Sequence, residues 1–221
     1  MGIEEVYVCI MFLAGVLMAF GVPVLILAYR KYVKEKKAKV CQGSNGERYI
    51  AKLLQELPEG YKCLHDLLLK YKGYTVQIDH VVISEYGVIV IETKNFRGHI
   101  YGSSEKKRWE QINKGKKRCF YSPTIQNNRH RFVISRICKL PIEKVIPITV
   151  FVGKCELHLE DVGRTILSKD LLPYIYGITK KILSQSDVDK IYNRLESKNI
   201  TSESVRRHHV AYVQRVKSKI Q

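Results

Sequence analysis

The chain has 221 residues, 45% of them hydrophobic and 27% charged, a globular composition that excludes a wholly disordered protein. Its 38 Lys and Arg against 21 Asp and Glu leave a formal net charge of +17. That charge favours polyanionic partners, nucleic acid phosphates or anionic lipid headgroups, without choosing between them. The six cysteines form no C-x-x-C pair and no zinc-finger spacing, which excludes a cysteine-rich zinc module and fits a reducing compartment.

Taken in chain order, residues 1–5 carry only Glu4 and Glu5 as charges, and from Val6 to Tyr29 no charged residue occurs. At about 1.5 Å per residue such a helix spans a hydrocarbon core of roughly 30 Å, so residues 6–29 are predicted to cross a membrane. A cleaved signal peptide fits less well, because no positive segment precedes the apolar run. Arg30, Lys31, Lys34, Lys36, Lys37 and Lys39 follow it, in a basic juxtamembrane stalk over residues 30–42. The positive-inside rule therefore predicts a single-pass protein of the cell membrane, with an extracytoplasmic N-terminus and a cytoplasmic C-terminal domain.

A helix is predicted from Gly43 to Leu57, with Glu47, Ile50, Leu54 and Leu57 on one stripe and Pro58 and Gly60 as its stop. Strands follow at 61–69, 74–84 and 88–94. Alternation places Val76, Ile78, His80 and Val82 on one face of the second, and Gln77, Asp79, Val81 and Ile83 on the other. The turn Glu85-Tyr86-Gly87 makes the second and third strands an antiparallel hairpin. Residues 97–118 read as short strands and a loop, and a helix opens at Pro123 and runs to about Leu140. A strand at 145–152 contains Pro147, which predicts an edge position or a bulge. Residues 168–176 and 186–198 read as helices of a C-terminal α/β extension over 156–200, and the basic tail 201–221 is expected to be partly disordered. The order predicts an α/β fold with a mixed sheet flanked by helices, behind one N-terminal transmembrane helix.

The third strand holds Glu92-Thr93-Lys94, whose outer two residues share a face beside Val88 and Val90. A carboxylate and an ammonium on an apolar strand must be paired, metal-bound or exposed at the strand end. The hairpin can bring Asp79 beside them, and Asp79 with Glu92 would offer hard oxygen ligands to Mg²⁺ or Mn²⁺. Lys94 would then orient a water or neutralise developing charge. Glu47 adds a third carboxylate on the packing stripe of its helix; the competing account makes it a capping carboxylate in a first helical turn. Spacing alone leaves an ordinary ion pair at the end of a hairpin as good an account of Asp79, Glu92 and Lys94. His80 points away from Asp79 and suits a core role, and His130 suits either the edge of the site or packing. Trp109, amid Lys106, Lys107, Arg108, Lys114, Lys116, Lys117 and Arg118, suits phosphate contact with base stacking, or equally an anchor for a solvated loop.

Gly43-Ser-Asn-Gly-Glu47, Gln77-Ile-Asp-His80, Val88-Ile-Val-Ile-Glu-Thr-Lys-Asn95, Gly98-His-Ile-Tyr-Gly102 and Gln126-Asn-x-x-His130 occur in that order. The set resembles the nuclease-related domain family of the PD-(D/E)xK restriction-endonuclease-like superfamily, over roughly residues 40–155. The resemblance implies a restriction-endonuclease-like fold for a nuclease-related domain over 43–155. It implies that Glu47, Asp79, Glu92 and Lys94 occupy the acidic and lysine positions, with Gln126 a supporting residue on the helix. Ile78 stands where the superfamily name has proline, and Ser122-Pro123 where Asn-Pro is expected. The function implied is membrane-anchored, metal-dependent hydrolysis of DNA, or less readily RNA. The alternative is a non-catalytic nucleic-acid-binding or membrane-surface scaffold on the same fold. Phosphate-loop, triad-hydrolase and dinucleotide motifs are absent from the sequence.

Overall fold

A computed structural model of the protein describes residue 11 and residues 22–220, and the side chains of these apart from 34–43 and 217–220. Contacts divide the chain into two compact units, Met1–Ser44 and Asn45–Gln221. Most of the run expected to cross a membrane lies outside the described residues. Among the described residues no helix is long and apolar enough to cross one. The described end of that run, residues 22–29, is helical and leaves Val24, Leu25, Leu27 and Tyr29 exposed.

That end opens helix α1, Val22–Leu54. The sequence predicts a stalk at 30–42 and a helix from Gly43 to Leu57; in the structure the helix already runs through 30–42 without a break and ends at Leu54. The segment is rich in Lys, a good helix former, and holds no proline after Pro23 to break the helix.

Nine strands form two sheets in the second unit. They are β1 (Lys62–Tyr71), β2 (Tyr74–Ser84), β3 (Gly87–Asn95), β4 (Gly98–Ser103), β5 (Arg108–Asn113), β6 (Lys116–Tyr121), β7 (Val145–Val152), β8 (Cys155–Glu160) and β9 (Thr165–Leu167). The first sheet runs β1-β2-β3-β7-β9 and the second β6-β5-β4-β8. The predicted β2–β3 hairpin is antiparallel, while β3 pairs with β7 in parallel, so the first sheet is mixed. The second sheet continues the same chain path. Phe96 N–H donates to Val152 O and Gly98 N–H to Lys154 O, so the β3/β7 pair leaves one sheet together and re-pairs as β4/β8 in the other. The turn requires positive φ at Gly98 (83°) and Gly153 (102°), where a Cβ would also strike backbone.

Helices α2 (Pro123–Cys138) and α4 (Gln185–Lys198) cover one face of the first sheet. Ile134, Cys138, Val188, Ile191 and Leu195 pack there against Val81, Ile83, Val88 and Val90. On the other face Ile50 and Leu54 of α1 and Leu171 and Ile175 of α3 (Leu171–Tyr176) meet Val82, Ile89 and Ile91. This is the expected α/β class with helices on both faces.

Strict alternation along β2 fails. Ile78 and Val81 share one cluster, as do their ladder partners Leu67 and Leu64, so both strands change face between these positions. Asp66 is the cause: its φ is 50°, and the β1–β2 ladder passes from His65↔His80 to Leu67↔Ile78 without an Asp66–Asp79 bridge.

Pro147 was expected to mark an edge or a bulge, yet β7 is an interior strand. Its neighbour β9 is only three residues long and pairs with Thr149–Phe151, so it never reaches the proline. The tail is also corrected: instead of being partly disordered it forms α5, Glu203–Ile220. Arg206 fastens it by donating to Asp66 Oδ2 at 2.7 Å and Asp66 O at 2.8 Å, and His209 Nδ1 lies 2.7 Å from Thr75 Oγ1.

Candidate functional site

The β2–β3 ladder ends at His80↔Ile91, and beyond it the strands part. Thr93 N–H, left without a backbone partner on β2, donates instead to Asp79 Oδ2 at 2.8 Å. The face change in β2 thereby aims the Asp79 carboxylate at β3. Glu92 and Lys94 share the face of Val88 and Val90 as alternation predicts, and Lys94 Nζ pairs with Glu92 Oε1. From α2, Gln126 Oε1 stands 3.4 Å from Lys94 Nζ.

Glu47 approaches from α1. It lies many turns into the helix and not in a first turn, so the capping account does not apply to it. Its helix can come this close because residue 46 is glycine: a Cβ there would lie 2.8 Å from Asn95 Cβ at the end of β3. Ile50 and Leu54, on the same stripe, are fully buried and hold the half-buried Glu47 toward the cluster.

Three carboxylates therefore surround one ammonium. Burial pushes the Asp79 carboxyl well above its ordinary range and Glu92 pushes it further, against the opposing pull of Lys94. Glu47 is raised by burial, then by Asp66 and Glu92. For Lys94 burial favours the neutral form, but Glu92, Asp79 and Glu47 outweigh it and raise its pKa. The pocket is short of positive charge.

Glu92 is 2% exposed, and its Oε2 is buried with no hydrogen-bond partner. His130 Nδ1, on α2, stands 3.4 Å from that oxygen without hydrogen-bond geometry and is likewise unpartnered. Burial, with Lys94 and Arg129 adding, lowers the His130 pKa despite Glu92, and the orientation of the ring leaves the carboxylate oxygen without a hydrogen bond. An orphaned carboxylate oxygen beside two further carboxylates is a hard, anionic donor set, which fits a divalent ion of the Mg²⁺ or Mn²⁺ type.

His80 does not join this group. It is buried with Nδ1 2.9 Å from His65 Nδ1, and burial followed by His65 lowers its pKa to about 3. Asn127, which the sequence reading passed over inside its own motif, donates to Val90 O at 3.0 Å and Ile148 O at 2.8 Å. Asn127 thus supplies a donor at the seam beneath the site. Asn127→Ala is expected to lower stability by about 1 kcal/mol, read as a fall in the denaturant midpoint.

The basic residues predicted to bind nucleic acid occupy the β5–β6 hairpin and the approach to it. Lys106, Lys107, Arg108, Lys114, Lys116, Lys117 and Arg118 are all exposed, and Lys117 Nζ lies 2.9 Å from Glu110. Trp109 is corrected. It is fully buried, packs parallel to Phe151 at 6.4 Å between ring centres, and donates from Nε1 to Ser103 O at 3.1 Å. Gly102 leaves the room for its indole, since a Cβ there would lie 2.3 Å from Trp109 Cδ2. A ring with no exposed face cannot stack on a base, so the tryptophan anchors the second sheet.

The model of the family described as "Nuclease-related domain" matches residues 42–152, about half of the chain. An uncharacterized protein of Bacillus anthracis, pXO1-01, is 34% identical over 190 residues, spanning 82% of this chain and 88% of the relative. Among solved structures, Pyrococcus furiosus SfsA in complex with Ca²⁺ is 16% identical and is matched over 71% of this chain and 54% of that one, with a TM-score of 0.26. A structural likeness that low carries no argument, whereas the family match spans Glu47, Asp79, Glu92, Lys94 and Gln126 alike. The chain belongs to the nuclease-related domain family.

Proposed function

We propose that this protein is a metal-dependent nuclease of restriction-endonuclease-like fold, hydrolysing phosphodiester bonds in DNA, or less readily RNA. The observation that carries the reading is the buried Glu92 oxygen without a partner, set among Asp79, Glu47 and Lys94. In the proposal Asp79, Glu92 and Glu47 hold Mg²⁺ or Mn²⁺. Such an ion supplies an acidified water and a counter-charge for the phosphate. Lys94, kept protonated by the surrounding carboxylates, places a fixed positive charge against the phosphate as negative charge develops on it. Gln126 holds the Lys94 ammonium in place from α2.

The exposed cations of the β5–β6 hairpin form the nucleic-acid interface in this reading, with Trp109 left out. Lys116, Lys117 and Arg118 lie on an edge strand, where cations also deter unwanted strand pairing, so their part in binding needs its own test. Lys116→Glu with Arg118→Glu is expected to shallow the dependence of log Kd on log salt by about 2, since each phosphate contact contributes about 0.9. An unchanged slope would remove these residues from the interface.

The proposal also sets the chain at the cell membrane, crossing it once through residues 6–29 with its C-terminal domain cytoplasmic. Support comes from the uncharged run, the cations that follow it and the exposed apolar residues at its described end.

The test is cleavage of linear, circular and single-stranded DNA by the purified chain under a titration of Mn²⁺ or Mg²⁺, beside Asp79→Ala. Ion-dependent cleavage lost in the variant is the expected result. Cleavage that ignores the ion, or that Asp79→Ala leaves unchanged, would overturn the assignment.

A further inference from the structure

A second group of donors lies on the other sheet. In the parallel β4/β8 pair His99 stands opposite Glu156, and His158 follows two residues along on the same face as Glu156. All three are exposed, while Ile100, Leu157 and Leu159 between them turn inward to pack with Trp109. The two histidines are 59 residues apart in the chain, and only the strand register joins them.

Their atoms converge. His99 Nδ1 lies 3.2 Å from His158 Nε2 and 3.2 Å from Glu156 Oε2, and His158 Nε2 lies 3.9 Å from that same oxygen. Two donors on a tetrahedral zinc ion, each at about 2.0–2.1 Å from the metal, stand about 3.3–3.4 Å apart. The observed triangle brackets that edge. Protons alone serve the arrangement poorly, because one N–H on His99 can point at only one of its two neighbours. A cation between the three satisfies them all. Tyr101 stacks on the His158 ring at 4.6 Å and 11°, which fixes the direction of that imidazole.

We propose that His99, Glu156 and His158 form a second metal site, distinct from the carboxylate cluster, that takes a zinc-class transition ion with water in its open fourth position. Two imidazoles and one carboxylate suit Zn²⁺ far better than Mg²⁺, which prefers an all-oxygen shell. The ion clips β8 to β4, two strands held otherwise by backbone pairing and the small core around Trp109.

Calorimetric titration of Zn²⁺ into the metal-stripped full chain, with excess Mg²⁺ present, tests this. The parent and Asp79→Ala are expected to bind one equivalent alike. His158→Ala and His99→Ala are expected to weaken it at least about tenfold, the lower bound for disturbing a ligand shell. The replaced side chains are exposed, so the variants should match the parent in circular dichroism. The site is refuted if no equivalent is bound, if both histidine variants keep it, or if Asp79→Ala loses it.

Discussion

Lys94→Met is expected to slow metal-dependent DNA cleavage by about 10²–10³-fold in a chain that still folds and still binds its ion. The range is that of removing a preorganised charge from a transition state. Lys94 Nζ pairs with Glu92 Oε1 and faces Gln126, and the three carboxylates hold its pKa up against burial. It is therefore a standing positive charge, not a proton acceptor, at neutral pH. Methionine keeps the length of the stem and removes the charge. The metal-free variant should also be less stable than the parent, because Glu92 loses its cation. Mn²⁺ should stabilise it more than it stabilises the parent. Single-turnover cleavage separates the two effects, since only the chemical step should carry the large loss. A variant that cleaves at the parental rate would leave the lysine a structural partner of Glu92.

Asp79→Asn should do the opposite to the metal-free protein and make it more stable at pH 8, by about 1–3 kcal/mol. Burial and Glu92 raise the Asp79 carboxyl on folding, and Glu47 is raised in the same sense. A carboxyl raised by folding holds its proton more tightly in the folded chain. Its contribution is fully present below the unfolded value, near about 3.9 for Asp, and is lost as pH rises through the folded value. Asparagine never ionises, and its oxygen can still accept from Thr93 N–H, so the variant escapes this loss. Its advantage should shrink toward pH 4. Metal should reverse the order, because an ion at 100 times its Kd adds about 2.7 kcal/mol to the parent alone. Unfolding midpoints at pH 4 and 8, with chelator and with Mn²⁺, read all four states. A parent more stable than Asp79→Asn in chelator at pH 8 would mean that the carboxylates are already balanced within the protein.

The strands were legible because period-two apolar runs and short turns are local signals: β2, β3 and their hairpin follow from Val76–Ile83 and the Glu85-Tyr86-Gly87 turn. Asp79, Glu92 and Lys94 stood out because charges on apolar strands need a reason. What escaped the sequence depended on contacts between distant segments. The face change at Asp66 is fastened by Arg206, about 140 residues away, and the same contact docks the first turn of the helical tail. Trp109 is encircled by lysines in sequence, yet β5 turns it inward onto Phe151 and Gly102. His130 meets Glu92 only because α2 crosses β3 at that height. Asn127 donates to Val90 and Ile148, which only the β3–β7 pairing brings side by side. Gly46, quoted as part of a motif, gained a physical reason only when α1 was seen against Asn95.

Whether Asp79, Glu92 and Glu47 together hold a divalent ion is decided by titrating Mn²⁺ into the metal-stripped full chain by calorimetry. The parent and Asp79→Ala are compared, with His158→Ala as a control for the second sheet. One equivalent bound by the parent and by His158→Ala, and lost in Asp79→Ala, is the predicted result. Equal binding in the parent and in Asp79→Ala, or none in either, would contradict a metal centre at these carboxylates and leave a nuclease-related fold without the ion its chemistry needs.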